Sequence, residues 1–96
     1  MLFDEHQTVR PDGLSIRRRR RARGWSRREL VEAIAEASVR ASGQRETIAP
    51  NLLEWMEEAR EPVPYATLCA VAAGLDCDPM DLVELPMPGG GALQGT

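Results

Sequence analysis

Five consecutive arginines, Arg17 to Arg21, lie within the stretch "SIRRRRRARGWSRREL" (Ser15–Leu30), where eight of sixteen residues are arginine. Like charges packed so densely repel one another, and a nearby anion offsets that cost. The element that carries the run must therefore keep most of it at the surface. The 96-residue chain nevertheless has a formal net charge of −3, because its charge is divided unevenly. Residues 1–45 hold eleven arginines against six acidic residues, a balance of +5, whereas residues 46–96 hold one arginine against nine, a balance of −8. This asymmetry predicts a basic surface for an anion beside an acidic half with another role. All twelve basic residues are arginine. A genome rich in G and C produces that bias, and so does selection for bidentate phosphate binding.

The length suits one domain with a modest core, filled mainly by aliphatic side chains because only 4% of residues are aromatic. Pro11-Asp12-Gly13 reads as a turn that closes a mobile arm over residues 1–13. A first helix is expected after Gly13, with Leu14, Ile16 and Arg20 on one side and Arg17, Arg18, Arg19 and Arg21 mostly outward. Gly24 ends it by taking the left-handed conformation of a C-terminal cap. Ser26 and Glu29 have the spacing of a capping box. They open a second helix whose apolar side is Leu30, Ile34, Ala37 and Ala41, running to about Arg40. "ASGQRETI" breaks it.

Pro50 suits the first turn of a third helix, with Leu52, Leu53 and Met56 apolar and an end near Ala59. "EPVP" forces an extended crossing. A fourth helix follows from Tyr65 to Ala73, with Leu68, Val71 and Ala72 inward and Gly74 as its cap. Asp78-Pro79 opens a short fifth helix through Val83. Residues 86–96, "PMPGGGALQGT" after Leu85, read as a flexible tail. The expected architecture is all-α: a compact five-helix domain over residues 14–85 with flexible N- and C-terminal tails.

Several function classes drop out. Cys69 and Cys77 show no CxxC pattern and His6 is the only histidine, so no metal site is expected and Cys69 is read as a reduced thiol buried on a helix. No catalytic constellation and no Gly-rich phosphate loop before a helix is present, so neither an enzyme nor a cofactor is expected. No stretch is apolar enough for a membrane span, and "MLFDEH" lacks the features of a signal peptide. The expected compartment is the cytoplasm, at the nucleoid.

Two helices joined by a capped corner, the first with an arginine-rich face, resemble the lambda-repressor-like (XRE-type) helix-turn-helix family of bacterial DNA-binding proteins. "IRRRRRARGWSRREL" is similar to the family's first helix, its Gly-apolar-Ser corner and the start of its second helix. "TIAPNLLEWMEEA" occupies the recognition-helix register, and "ATLCAVAAGLDCDPMDLV" matches the closing helical pair. The stretch from Glu36 to Ile48 lengthens the connection between the second and third helices, as in actinobacterial-type variants.

The resemblance implies a transcription regulator, a repressor acting as a homodimer on double-stranded DNA. By register, Arg20 and Glu57 form a structural ion pair. Arg17, Arg18, Arg21, Arg27 and Arg28 are candidates for DNA phosphate contacts, with Arg19 in the same run. Arg27 suits a phosphate or a guanine edge, or is simply an exposed first-turn residue. The DNA-facing positions of the third helix are Ala49, Pro50, Asn51, Glu54 and Trp55. Asn51 suits adenine and Glu54 suits the cytosine amine, while Trp55 either stacks on DNA or packs on the second helix, the packing role being favoured. Glu54 and Glu58 are negative beside a polyanion. The competing expectation is therefore a protein-interaction module on the same fold, whose acidic half meets a partner protein while DNA binding is weak or lost.

Overall fold

Ser26 and Glu29 close the box that their spacing predicts. In the computed structural model of the protein, which describes residues 7–58 and 61–84, the Glu29 amide donates to Ser26 Oγ at 3.1 Å and the Ser26 amide to Glu29 Oε1 at 2.7 Å. These bonds satisfy two amides that a helix start leaves without partners. The chain order is β1 (Thr8–Val9), α1 (Gly13–Ala22), α2 (Arg27–Ser42), α3 (Pro50–Glu58), β2 (Val63–Pro64), α4 (Tyr65–Leu75) and a 3-10 helix (Pro79–Leu82). The fold is mostly helical, with four α-helices and a small two-stranded sheet. The expected fifth helix is the single 3-10 turn, capped by Asp78, whose side chain accepts from the Met80 amide at 2.9 Å.

The strands correct the all-α expectation. Val9 pairs with Val63 and Thr8 with Pro64 in an antiparallel ladder, and Pro11 bridges to Val83. The Tyr65 amide donates to Gln7 O, Asp12 to Leu82 O and Glu84 to Arg10 O. Residues 8–12, expected as part of a mobile arm, thus belong to the packed domain, with Val9 and Pro11 buried. The remaining tail segments, residues 1–6 and 85–96, lie outside the described residues, as does the expected end of the third helix at Ala59.

The core lies between α2 and α4, which pack along each other, and is closed by α1, α3 and the 3-10 turn. Ile16, Leu30, Ile34, Leu53, Leu68 and Leu82 are fully buried. Two expected core positions are not. Leu14 is 44% exposed, because residues two apart on a helix lie about 200° apart and Ile16 already faces inward. Ala41 is exposed near the end of α2, where it lines an open groove between α2 and α4 with Ala66 and Ala70.

Helix α2 continues to Ser42 and stops where Gly43 adopts φ 80°. Much of the lengthened connection is therefore helix, leaving residues 43–49 as loop. Ser38 Oγ donates to Gln44 O and accepts from the Glu46 amide, and Thr47 Oγ1 donates to Val31 O. These bonds fold the loop back onto α2 and deliver Pro50 to the first turn of α3.

Gly74 does not cap α4. The helix runs through it to Leu75, and Asp76 takes the left-handed conformation at φ 56° while the Cys77 amide reaches back to Ala72 O at 3.0 Å. Gly74 instead lets α2 and α4 approach, since a Cβ there would lie 2.6 Å from Ile34 Cγ1 and 3.0 Å from its backbone. At Gly13 a Cβ would lie 2.6 Å from Met56 O and 2.7 Å from the Glu57 carbonyl carbon, at the end of α3. Gly74→Ala is expected to cost about 1–3 kcal/mol as overpacking. Gly13→Ala should cost more, because it collides with backbone that cannot rotate away. Thermal melting of the two variants checks the order.

Candidate nucleic-acid interface

Helix geometry sorts the arginine run. At 100° per residue, Gly13, Ile16 and Arg20 fall within one arc of about 60°, with Arg17 at its edge, Arg21 further round and Arg18 nearly opposite. Arg20 is accordingly buried and Arg18 and Arg21 are exposed. On α3 the same spacing puts Leu53, Met56 and Glu57 inward, all buried, and Asn51, Glu54, Trp55 and Glu58 outward, all exposed.

The expected ion pair is present. Arg20 Nε donates to Glu57 Oε2 at 2.8 Å and a terminal nitrogen donates to Oε1 at 2.9 Å, in the parallel two-bond arrangement that matches guanidinium to carboxylate. The other terminal nitrogen donates to the Trp25 carbonyl at 2.8 Å, in the corner between α1 and α2. One buried guanidinium thereby joins α1, the corner and α3.

Arg17 and Arg27, expected at phosphates, turn toward the same carboxylates. Arg27 Nε donates to Glu57 Oε1 at 3.3 Å and its terminal nitrogen to Glu58 Oε2 at 2.8 Å. Arg17 approaches Glu57 at 3.7 Å and Glu58 at 3.9 Å. Three guanidinium groups thus surround two carboxylates. Arg19 lies 3.5 Å from Asp81, and Arg45 pairs with Glu32. Arg23 donates to Leu75 O and stacks over the Trp25 ring at 5.1 Å. Arg18, Arg21 and Arg28 are exposed and take part in no ion pair among the described residues. No composition signal separates these three from Arg17, Arg19 and Arg27, because the distinction depends on which carboxylates the fold brings near.

Trp55 is 58% exposed, contrary to the favoured role as packing for the second helix. It stands on the outer face of α3 with Asn51, Glu54 and Glu58, while Leu53, Met56 and Glu57 are buried on the opposite side. Ala49 ends the loop, and its carbonyl accepts from the Leu52 and Leu53 amides, opening α3. Among the described residues no group of His, Cys, Asp or Glu is placed to hold a metal ion, and no helix is long and apolar enough to cross a membrane. Both cysteines are free thiols; Cys69, expected as buried, is only partly so, and burial pushes the Cys77 thiol above its ordinary value.

No protein family, characterised protein or solved structure matches this chain.

The two neighbouring glutamates should respond very differently to truncation. Glu57→Ala strands a buried guanidinium and should cost about 3–5 kcal/mol. Glu58→Ala removes a half-exposed carboxylate and should cost no more than about 1 kcal/mol. Chemical denaturation of both variants measures the gap, and equal losses would contradict this assignment of inner and outer positions.

Proposed function

We propose that the protein is a sequence-specific DNA-binding regulator of the lambda-repressor-like helix-turn-helix type, acting as a homodimeric repressor. The observation that carries this reading is the continuity of the exposed α3 face with the arginine cluster. Glu58, at the end of that face, touches Arg27 of α2 and Arg17 of α1. Arg28 follows Arg27, and Arg21 lies one turn beyond Arg17. A helix presenting Asn51, Glu54 and Trp55, joined through Glu58 to Arg17 and Arg27, has base-reading groups next to guanidinium groups, and the exposed Arg18, Arg21 and Arg28 lie on the two helices that carry that pair.

The acidity of α3 weighs less against DNA than the sequence suggests. Glu57 is buried on Arg20, and Glu58 is covered by two guanidinium groups, which leaves Glu54 as the one acidic side chain of α3 without a basic neighbour among the described residues. A carboxylate there accepts from a cytosine amine in the major groove. A homodimer would present two such helices to the two halves of a symmetric operator.

A second reading is favoured by Trp55. A large aromatic side chain, more than half exposed beside an unpaired Glu54, also suits a basic partner protein. Salt dependence separates the two. Arg18→Ala, Arg21→Ala and Arg28→Ala should each weaken DNA binding about equally across sequences and reduce the slope of log affinity against log salt by about 0.9. Asn51→Ala should relax sequence preference, losing about 1–3 kcal/mol of discrimination at one base pair. Fluorescence anisotropy on selected and random duplexes reads both effects. Binding without salt dependence, or no preferred sequence after selection from random DNA, would favour the partner-protein reading.

A further inference from the structure

The arginine cluster around α3 holds more donors than its carboxylates can accept. Oε1 of Glu57 already faces a terminal nitrogen of Arg20 at 2.9 Å and Nε of Arg27 at 3.3 Å. Nε of Arg17 is buried, 3.7 Å from the same oxygen, and finds no hydrogen-bond acceptor. The remaining carboxylate, Glu58, is bonded to Arg27 at 2.8 Å and lies 3.9 Å from Arg17. Three positive groups against two negative ones leave one charge uncompensated, next to a donor without an acceptor.

We propose that Arg17 and Arg27 form a binding fork for a phosphate oxyanion, and that Glu58 occupies it as an internal stand-in which the phosphate displaces. The two glutamates differ in what they can give up. Glu57 is fully buried and carries the two-bond pair with Arg20, so it stays. The side chain of Glu58 is half exposed, and a solvent-screened ion pair of that kind is weak enough to exchange. A phosphate offers acceptor oxygens in several directions, so it can bond Arg27 and the terminal nitrogen of Arg17 together, whereas Glu58 bonds Arg27 and stays 3.9 Å from that nitrogen. Glu58 leaves toward solvent, and the charge of the cluster is preserved when a singly charged phosphodiester replaces it. The phosphate comes either from a nucleic-acid backbone, in which case the inference deepens the proposed function, or from a free phosphate.

The test is a titration of the full chain with inorganic phosphate at constant ionic strength, following the Nε–H resonances of Arg17 and Arg27 by NMR, for the parent, Glu58→Gln and Glu46→Gln. Glu46 is exposed in the loop that follows α2 and controls for net charge. Phosphate should shift both resonances, with affinity raised about two- to fivefold in Glu58→Gln and unchanged in Glu46→Gln. Equal gains in the two variants, or no shift at Arg17 and Arg27, would overturn the inference. A short DNA duplex is the second arm. A duplex that binds through Arg18, Arg21 and Arg28 while leaving Arg17 and Arg27 unmoved leaves the DNA reading standing; the fork is then assigned to free phosphate if inorganic phosphate shifts both resonances and is overturned if it does not. Phosphate binding that tightens in Glu58→Gln, without any duplex binding, upholds the fork and removes the DNA reading.

Discussion

The paired hydrogen bonds between Arg20 and Glu57 are the interaction on which the rest of the arrangement depends. A buried carboxylate is tolerated only when its charge and acceptors are met, and Glu57 has both oxygens bonded by one guanidinium. That guanidinium in turn satisfies the Trp25 carbonyl in the corner from which α2 starts. Three segments separated in sequence are thereby fixed to one planar group. The stability of a small domain is about 5–15 kcal/mol, so the loss of either partner removes a large share of it. The close approach at Gly13, where α1 meets the last turn of α3, depends on the same alignment.

The pair also explains how an acidic chain displays arginines. Read along the sequence, the basic and acidic halves look like separate surfaces. In the fold they interleave: Glu57 and Glu58 enter the cluster of Arg17, Arg20 and Arg27, and Asp81 approaches Arg19. Among the described residues, the exposed arginines of α1 and α2 that take part in no ion pair are Arg18, Arg21, Arg28 and Arg40. The positive charge left uncompensated at the surface is therefore smaller than the arginine count.

Local signals were legible in the sequence, and long-range ones were mostly not. The Ser26–Glu29 box, Pro50 at a helix start and the cap at Asp78 each depend on residues within one turn, and each stands in the structure. Gly74 was misread because a glycine near a helix end suits either a left-handed cap or a close approach, and Asp76 can take the left-handed role. The two short strands join residues 8–9 to 63–64, a pairing that no local pattern reveals. Arg20 and Glu57 were matched through a family register, not through spacing. Which other arginines meet carboxylates depends on how α1, α2 and α3 converge, so Arg17 and Arg27 could not be told from Arg18 and Arg21 beforehand.

The most direct measurement of the central claim is a double-mutant cycle on Arg20 and Glu57, with methionine at either or both positions and unfolding free energy as the readout. The account predicts that each single replacement is severe and that the double replacement is much milder than their sum, with a coupling of roughly 2–3 kcal/mol. Additive losses would contradict it, and would mean that the two side chains stabilise the domain independently instead of as the joint between α1 and α3.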